Sequence, residues 1–202
     1  ANGAAAIIAE TVIPTGGVPL AIVPNADWAY ARLSHALAGD PAQRLRVIAV
    51  TGTSGKTTTV WLTATVLAEA GLRVGVISDL GCLDGSGMGV EQGHVEDPAG
   101  LAAWLERLAD SGCTHAVVEV SSRMLAACAL AGMECDTVVV TNLADAHRDL
   151  HGSLEAYHAI KERILDSLAD DGCLIVNGDD ERLCRFIDRC ATERPAVGTI
   201  TV

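Results

Sequence analysis

Residues Val47 to Thr59, VIAVTGTSGKTTT, set three conditions on any fold that contains them. A short apolar run, Val47 to Val50, stops at a turn holding Gly52 and Gly55, and Lys56-Thr57-Thr58 then opens a helical pattern ending near Ala70. Strand, glycine turn and helix in that order are the setting of a phosphate-binding loop. Glycines let the turn curl so that successive backbone N–H groups face inward, and the helix N-terminus adds partial positive charge where phosphate oxygens would lie. The candidate loop residues are therefore Gly52, Thr53, Ser54, Gly55, Lys56, Thr57 and Thr58, with Lys56 on the terminal phosphates and the Thr57 hydroxyl on Mg²⁺. The longer spacing G-x-x-x-x-G-K-[ST] would need glycine at Val50, so only G-x-x-G-K-T, Gly52 to Thr57, is present. The alternative is a plain glycine turn, with Lys56 a solvated lysine at a helix start.

From Leu45 onward apolar runs alternate with helical patterns. Strands are expected at Arg73–Ser78, Ala116–Val120, Thr137–Thr141 and Cys173–Val176, and helices at Pro98–Ala109, Met124–Ala131 and Leu154–Leu168. Leu80 to Asp97, with five glycines and little periodicity, reads as a surface segment over the site. This alternation implies an α/β fold: a mainly parallel sheet that contains the phosphate loop and carries helices on both faces. Upstream, Ala4–Ala9 and Leu20–Val23 read as short strands parted by Pro14 to Gly17, and Asn25 caps a helix to about Leu37 that Gly39 and Pro41 close. Two strands and a helix are too little for an independent domain. Residues 1–40 are therefore read as the tail of an N-terminal domain, Asp40–Arg44 as a linker and 41–202 as the central domain. The chain opens at Ala1 already in a strand-like run, so a fragment is expected.

Half of the 202 residues are hydrophobic, enough for one good core. Lys+Arg of 14 against Asp+Glu of 26 gives a net charge of −12, which repels phosphate backbones at long range and argues against nucleic-acid binding, while one local cationic pocket for a nucleotide stays compatible. Seven cysteines form no C-x-x-C pair and read as small core residues in a reducing cytoplasm. No apolar run approaches the roughly 18 residues of a membrane span, and no basic-then-apolar leader is present. A cytoplasmic monomer without membrane or nucleic-acid partners is expected.

Ligands in parallel sheets sit at the carboxyl ends of the strands, and those ends hold the polar residues. AVVEV delivers Glu119 and then Ser121-Ser122-Arg123; TVVVT delivers Asn142, then Asp145, His147, Asp149 and His151. A glutamate inside an apolar strand is costly unless a cation meets it, which leaves a salt bridge or Mg²⁺ shared with Thr57. His147 is by itself a loop histidine, and its position adds a metal or phosphate role. Across Leu154 to Leu168 the apolar stripe is Leu154, Tyr157, Ile164, Leu165 and Leu168, and Lys161 falls in its middle while Glu155, Glu162 and Arg163 project elsewhere. A lysine there must snorkel, pair or change its chemistry.

Taken in order, VTGTSGKTTT, VVEVSS, TNLADAHRDLHGSLEAYHAIKERIL and IVNGDD resemble the central ATP-binding domain of the Mur ligases, with HRDLHGSLEAYHAIK closest to the ligase that adds the third residue to UDP-N-acetylmuramoyl-alanyl-glutamate. The resemblance runs from about Gly3 to Asp180 and includes the end of that family's N-terminal substrate-binding domain. It implies a cell-wall (peptidoglycan) enzyme that uses ATP and Mg²⁺ to turn a carboxylate into an acyl phosphate, which an amino group attacks. Lys56 would contact the β- and γ-phosphates, Thr57 and Glu119 one Mg²⁺ and His147 a second. Lys161 would carry a CO₂-derived carbamate that supports the second metal. Lys56, His147 and Lys161 are thus the implied catalytic residues. Ser121, Ser122 and Arg123 would meet the substrate: a small-molecule carboxylate with an amino acid as partner, a UDP-muramyl peptide being one candidate.

The differences from the family fall on the substrate side. Glu96-Asp97-Pro98 stands where the family has Thr-Thr-Pro, and its carboxylates are expected to repel a pyrophosphate. Arg123 replaces a histidine, Ala127 and Ala129 replace a glutamine and an arginine, Ser54 an asparagine, and Ala146 the aspartate before His147. An altered acceptor follows from these, or else a regulatory nucleotide-binding module without bond-forming activity; a small-molecule kinase or simple NTPase would leave Lys161 unexplained. The resembled C-terminal ligase domain is not expected within 202 residues, so ligation by this piece alone is not expected either.

Overall fold

The computed structural model describes residues 3–85, 95–144, 154–194 and 196–202, with residue 154 through its backbone. Two short strands, β1 (Ile7–Ala9) and β2 (Leu20–Ile22), precede helix α1 (Ala26–Leu37). There follow β3 (Arg46–Thr51), α2 (Lys56–Glu69), β4 (Val74–Ser78), β5 (Gly81–Leu83), α3 (Pro98–Asp110), β6 (His115–Glu119), α4 (Ser122–Ala126), β7 (Cys135–Val140), α5 (Leu154–Glu162), β8 (Leu168–Val176), α6 (Cys184–Glu193) and β9 (Gly198–Thr201). Strands β3 to β9 form one sheet in the order β5-β4-β6-β3-β7-β8-β9, parallel except where β5 returns against β4. The expected α/β class is what is found, and β3, whose exit carries the glycine turn, is the middle strand.

Side-chain alternation along the strands divides the core between the two faces. Ile48, Val50, Val76 and Val117 turn to one face, where Val60, Ala64 and Leu67 of α2 cover them. Val47, Ala49, Ala116, Val118 and Leu174 turn to the other, against Leu101, Leu105 and Leu108 of α3, Met124 of α4, Ile164 and Leu165 after α5, and Phe186 of α6.

Several boundaries differ from the sequence reading. β5 lies inside the segment read as irregular: Gly81, at φ +127, turns the chain so that it pairs back on Ser78, and the Ser78 hydroxyl bonds the Gly81 carbonyl at 3.0 Å. The helix expected over Met124–Ala131 starts two residues earlier and stops at Ala126, because Cys128 enters the left-handed region (φ +53) and the Ala129 N–H returns to the Met124 carbonyl at 2.8 Å. The helix expected to reach Leu168 tightens to a 3-10 turn over Arg163–Ser167, and β8 opens at Leu168. α6 and β9 complete the sheet edge in a stretch for which no element was expected.

The stretch read as a linker, Asp40–Arg44, is partly buried. Pro41–Arg44 is a 3-10 turn with Pro41 and Ala42 buried, and Asp40 before it holds Arg32 of α1 at 2.6 Å. The Asn25 cap forms as expected, its side chain accepting the Trp28 N–H at 2.8 Å. All seven cysteines are free thiols; Cys82, Cys113, Cys135 and Cys190 are buried, Cys128 and Cys173 half-buried, and Cys184 exposed, so the core reading holds for four. Burial pushes the Cys135 thiol up to about 12. Among the described residues no helix is long and apolar enough to cross a membrane.

Candidate active site

The turn after β3 is fixed by Thr141 and Asn142, which follow β7. The Thr53 N–H donates to the Asn142 carbonyl at 3.0 Å, and the Ser54 N–H to Asn142 Oδ1 at 3.1 Å. The Ser54 carbonyl receives two donors, Thr141 Oγ1 at 2.7 Å and Asn142 Nδ2 at 3.0 Å. Because a trans peptide is planar with C=O and N–H opposed, that grip turns the Gly55 N–H away from β7. Gly52 sits so close to β7 that an added Cβ would lie 2.0 Å from Thr141 Oγ1. Gly55, at φ +80, caps α2 without a side-chain bond. The N–H groups of Thr53 and Ser54 are thus spent on scaffolding, while Lys56, Thr57 and Thr58, in the first helical turn, have donors beyond the reach of intrahelical carbonyls.

Next to the loop, Glu119 is brought in at the end of β6. It is 3 % exposed; Oε1 accepts the Thr57 hydroxyl at 2.9 Å and lies 3.9 Å from Lys56 Nζ, and Oε2 accepts the Asp79 N–H at 3.2 Å. Burial raises its pKa, an effect opposed by the Asp79 and Thr57 hydrogen bonds and by Lys56, and reinforced by the Asp79 charge. Both readings of Glu119 therefore have a counterpart here: a loose ion pair with Lys56, and an oxygen pair with Thr57 of the kind Mg²⁺ accepts.

Lys161 lies on the inward stripe of α5 as the helix spacing predicted, and is 1 % exposed. Its Nζ donates to Thr51 Oγ1 at 3.0 Å, while that hydroxyl gives its own proton to the Val120 carbonyl at 2.9 Å. Tyr157 lies one turn before it, the ring centroid 5.7 Å from Nζ and the hydroxyl 3.1 Å from Thr53 Oγ1. Burial first, then repulsion from Lys56, lowers the lysine to about 7 against the pull of Glu119. It does not snorkel.

One cleft of about 150 Å³ is lined by Gly52, Lys56 and Lys161 together with Glu96, Ser122 and Arg123. The Ser121 side chain caps α4 by accepting the Met124 N–H at 3.1 Å. The acceptor-side carboxylates are not loose charges: Asp97 caps α3 through the Gly100 N–H at 2.9 Å, and Glu96 pairs with Arg123 at 3.2 Å. Their expected repulsion of a pyrophosphate is accordingly reduced. Asp145, His147, Asp149 and His151 lie outside the described residues. Among the described residues no three His, Cys, Asp or Glu side chains group to hold a metal. Sequence reasoning passed over Thr51, Asp79 and Tyr157, whose partners lie up to 110 residues away along the chain; the one local signal was a threonine ending a buried strand.

A glycine turn from the middle strand of a parallel sheet into a helix defines a P-loop-type α/β domain, and this chain is one. The family described as Mur ligase middle domain matches residues 50–201. The chain belongs to the Mur ligase family. It is 35 % identical over 203 residues to a UDP-N-acetylmuramyl-tripeptide synthetase of Roseiflexus sp. (strain RS-1), covering 93 % of this chain and 40 % of that protein. It is 33 % identical over 196 residues to a UDP-N-acetylmuramoyl-L-alanyl-D-glutamate--2,6-diaminopimelate ligase of Chlorobium phaeobacteroides (strain DSM 266 / SMG 266 / 2430), covering 96 % and 38 %. A solved structure of a ligase with the latter name superposes with a TM-score of 0.83 at 29 % identity over 99 % of this chain and 40 % of its own. Escherichia coli FolC in complex with ADP shares the fold, with a TM-score of 0.62 at 19 % identity over 86 % of this chain and 46 % of its own. The chain thus spans about 40 % of the length of the relatives it matches.

Proposed function

We propose that this chain supplies the ATP-binding part of a ligase that joins a carboxylate to an amino group through an acyl phosphate. The observation that carries the reading is that Lys56 and Lys161 line one cleft at the carboxyl end of β3, with Glu119 held beside Lys56 by the Thr57 hydroxyl at the α2 N-terminus. The first-turn N–H groups and Lys56 bind and orient the polyphosphate, and Lys56 offsets charge on the transferring phosphoryl group. The Thr57 hydroxyl and the Glu119 carboxylate fit Mg²⁺, since they are hard oxygen donors side by side and a cation would relieve the buried carboxylate. When bound, that ion would neutralise phosphate charge. Arg123, Ser121 and Ser122 line the same cleft and would meet the acceptor carboxylate. Relatives are named for UDP-N-acetylmuramoyl-L-alanyl-D-glutamate as substrate, and an acceptor of that muramyl-peptide class, joined to an amino acid, fits the family.

Lys161 deepens the proposal. A neutral amine is what CO₂ requires: the nitrogen lone pair attacks carbon, one C=O π bond breaks and leaves its electrons on oxygen, an N–H proton passes to solvent, and the neutral amine becomes a carbamate anion near Lys56. His147 and that carbamate would be the residues to hold a second metal ion. The test is calorimetric titration with Mg-ATP. Lys56→Ala should lose most of the binding, by about a hundredfold where two charge-assisted bonds go; equal affinity in the variant would sink the reading. Separately, [¹³C]bicarbonate should give a carbamate carbon resonance that Lys161→Met abolishes.

A further inference from the structure

Asn177-Gly178-Asp179-Asp180, the end of the run IVNGDD, has no part in the chemistry above, yet it touches the segment that holds the phosphate loop. We infer that Asp180 and Arg182 are positioning residues for the phosphate loop, acting through the backbone of residues 142–144. Asp180 Oδ2 accepts the Leu143 N–H at 2.8 Å, and Arg182 Nη1 donates to the Leu143 carbonyl, so a carboxylate and a guanidinium grip the two peptide groups that flank Leu143. Bonds to charged partners are shorter and stronger than neutral ones, which makes this a stiff attachment. Asp180 is itself held: its Oδ1 caps the 3-10 turn Glu181–Leu183 through the Arg182 N–H at 3.1 Å, and its own N–H donates to the Asn177 carbonyl at 3.3 Å. The Leu143 side chain, 1 % exposed, anchors the segment in the core.

One residue either side of Leu143 the grip passes to the loop. Asn142 takes the Thr53 N–H on its carbonyl and the Ser54 N–H on its side chain, and returns a bond from Nδ2 to the Ser54 carbonyl. On the other side the Ala144 N–H donates to Thr53 Oγ1 at 2.9 Å, the hydroxyl that Tyr157 also reaches. A displacement of residues 142–144 would therefore move both Thr53 and Ser54, and with them the direction of the Gly55 N–H. Loss of registry of this kind is costly wherever donors must meet a fixed set of oxygens.

This inference rests on the reading of the loop as a phosphate site, so its first test uses no ligand. Amide exchange is followed by NMR in the wild-type chain and in Asp180→Ala and Arg182→Met. The Thr53 and Ser54 protons should exchange about tenfold faster in each variant while Val117 and Val118, in the middle of β6, stay unchanged. Asp180→Asn, which keeps an oxygen for Leu143, should restore wild-type exchange. Unchanged exchange at Thr53 and Ser54 would overturn the inference, and so would equal acceleration at Val117 and Val118, which reports general loosening. The second test titrates ATP and inorganic tripolyphosphate. Arg182→Met should weaken both by the same factor; a loss confined to ATP means that Arg182 contacts the nucleoside and overturns the relay. A wild-type chain that binds neither would remove the phosphate reading while the exchange result still decides the relay.

Discussion

Gly52 and Gly55 both have positive φ, but one is fixed by crowding and the other by backbone conformation alone. A Cβ on Gly52 would sit 2.0 Å from Thr141 Oγ1 and 3.2 Å from the Asn142 nitrogen, whereas nothing lies within 4 Å of a Cβ on Gly55. Gly55→Ala should cost about 1 kcal/mol, the left-handed penalty, and Gly52→Ala about 3 kcal/mol with the loop pushed off β7. Urea unfolding of both variants checks the order, and Gly55→Ala being the worse would refute this account of the turn. Lys161 gives a pH prediction. Its folded pKa is lowered to about 7 from an ordinary 10.5, so between those values the unfolded chain binds more protons and stability rises with pH. In CO₂-free buffer the unfolding midpoint should climb from pH 7 to pH 10, and Lys161→Met should remove most of that climb. Lys161 was legible because one helix repeat suffices to place it, and Glu119 because an acid in an apolar strand is conspicuous. The roles of Thr51, Asp79 and Tyr157 were not, because what gives them meaning is a partner on another strand or helix.

Helix α1, read as part of the tail of an N-terminal domain, is tied to residues of the central domain by a buried histidine. His35, 1 % exposed, donates from Nε2 to the Ala129 carbonyl at 2.9 Å, and its Nδ1 has no partner among the described residues. The imidazole is therefore held neutral; burial lowers its pKa, opposed by the Ala129 bond. Sign follows directly: as pH falls below the ordinary 6.5, the unfolded chain takes up a proton that the folded one resists, and stability drops. His35→Gln, whose amide can still donate to Ala129, should flatten that acid limb, measured by thermal melts at pH 5 and 7. The α1 boundaries could be read because caps are local, Asn25 before and Gly39 after. β5, α6 and β9 could not. β5 is three residues long, and the outward side chains of β9 are exposed throughout, so neither has an apolar run to announce it.

At the scale of the molecule, the mainly parallel class followed from alternating apolar runs, because a sheet covered on both faces leaves few other arrangements; the strand order, with the loop strand in the middle, did not. The two-stranded β1–β2 pair stands apart from the seven-stranded sheet and leaves Val12, Ile13 and Ile22 exposed. Its hydrogen bonds should open locally, well before the main sheet. Amide protons of Ala9 and Val23 should exchange orders of magnitude faster than those of Val47 and Val118; matched rates would mean that the chain opens as one unit.

The two donors that Thr141 and Asn142 aim at the Ser54 carbonyl have a calorimetric consequence. Flipping that peptide would break both bonds, so the loop has its working shape before any ligand arrives. Binding then orders little backbone and hides little apolar surface, and it is burial of such surface that makes a binding enthalpy drift with temperature. The enthalpy of tripolyphosphate binding should stay nearly level from cold to warm, unlike that of a loop that must fold around its anion.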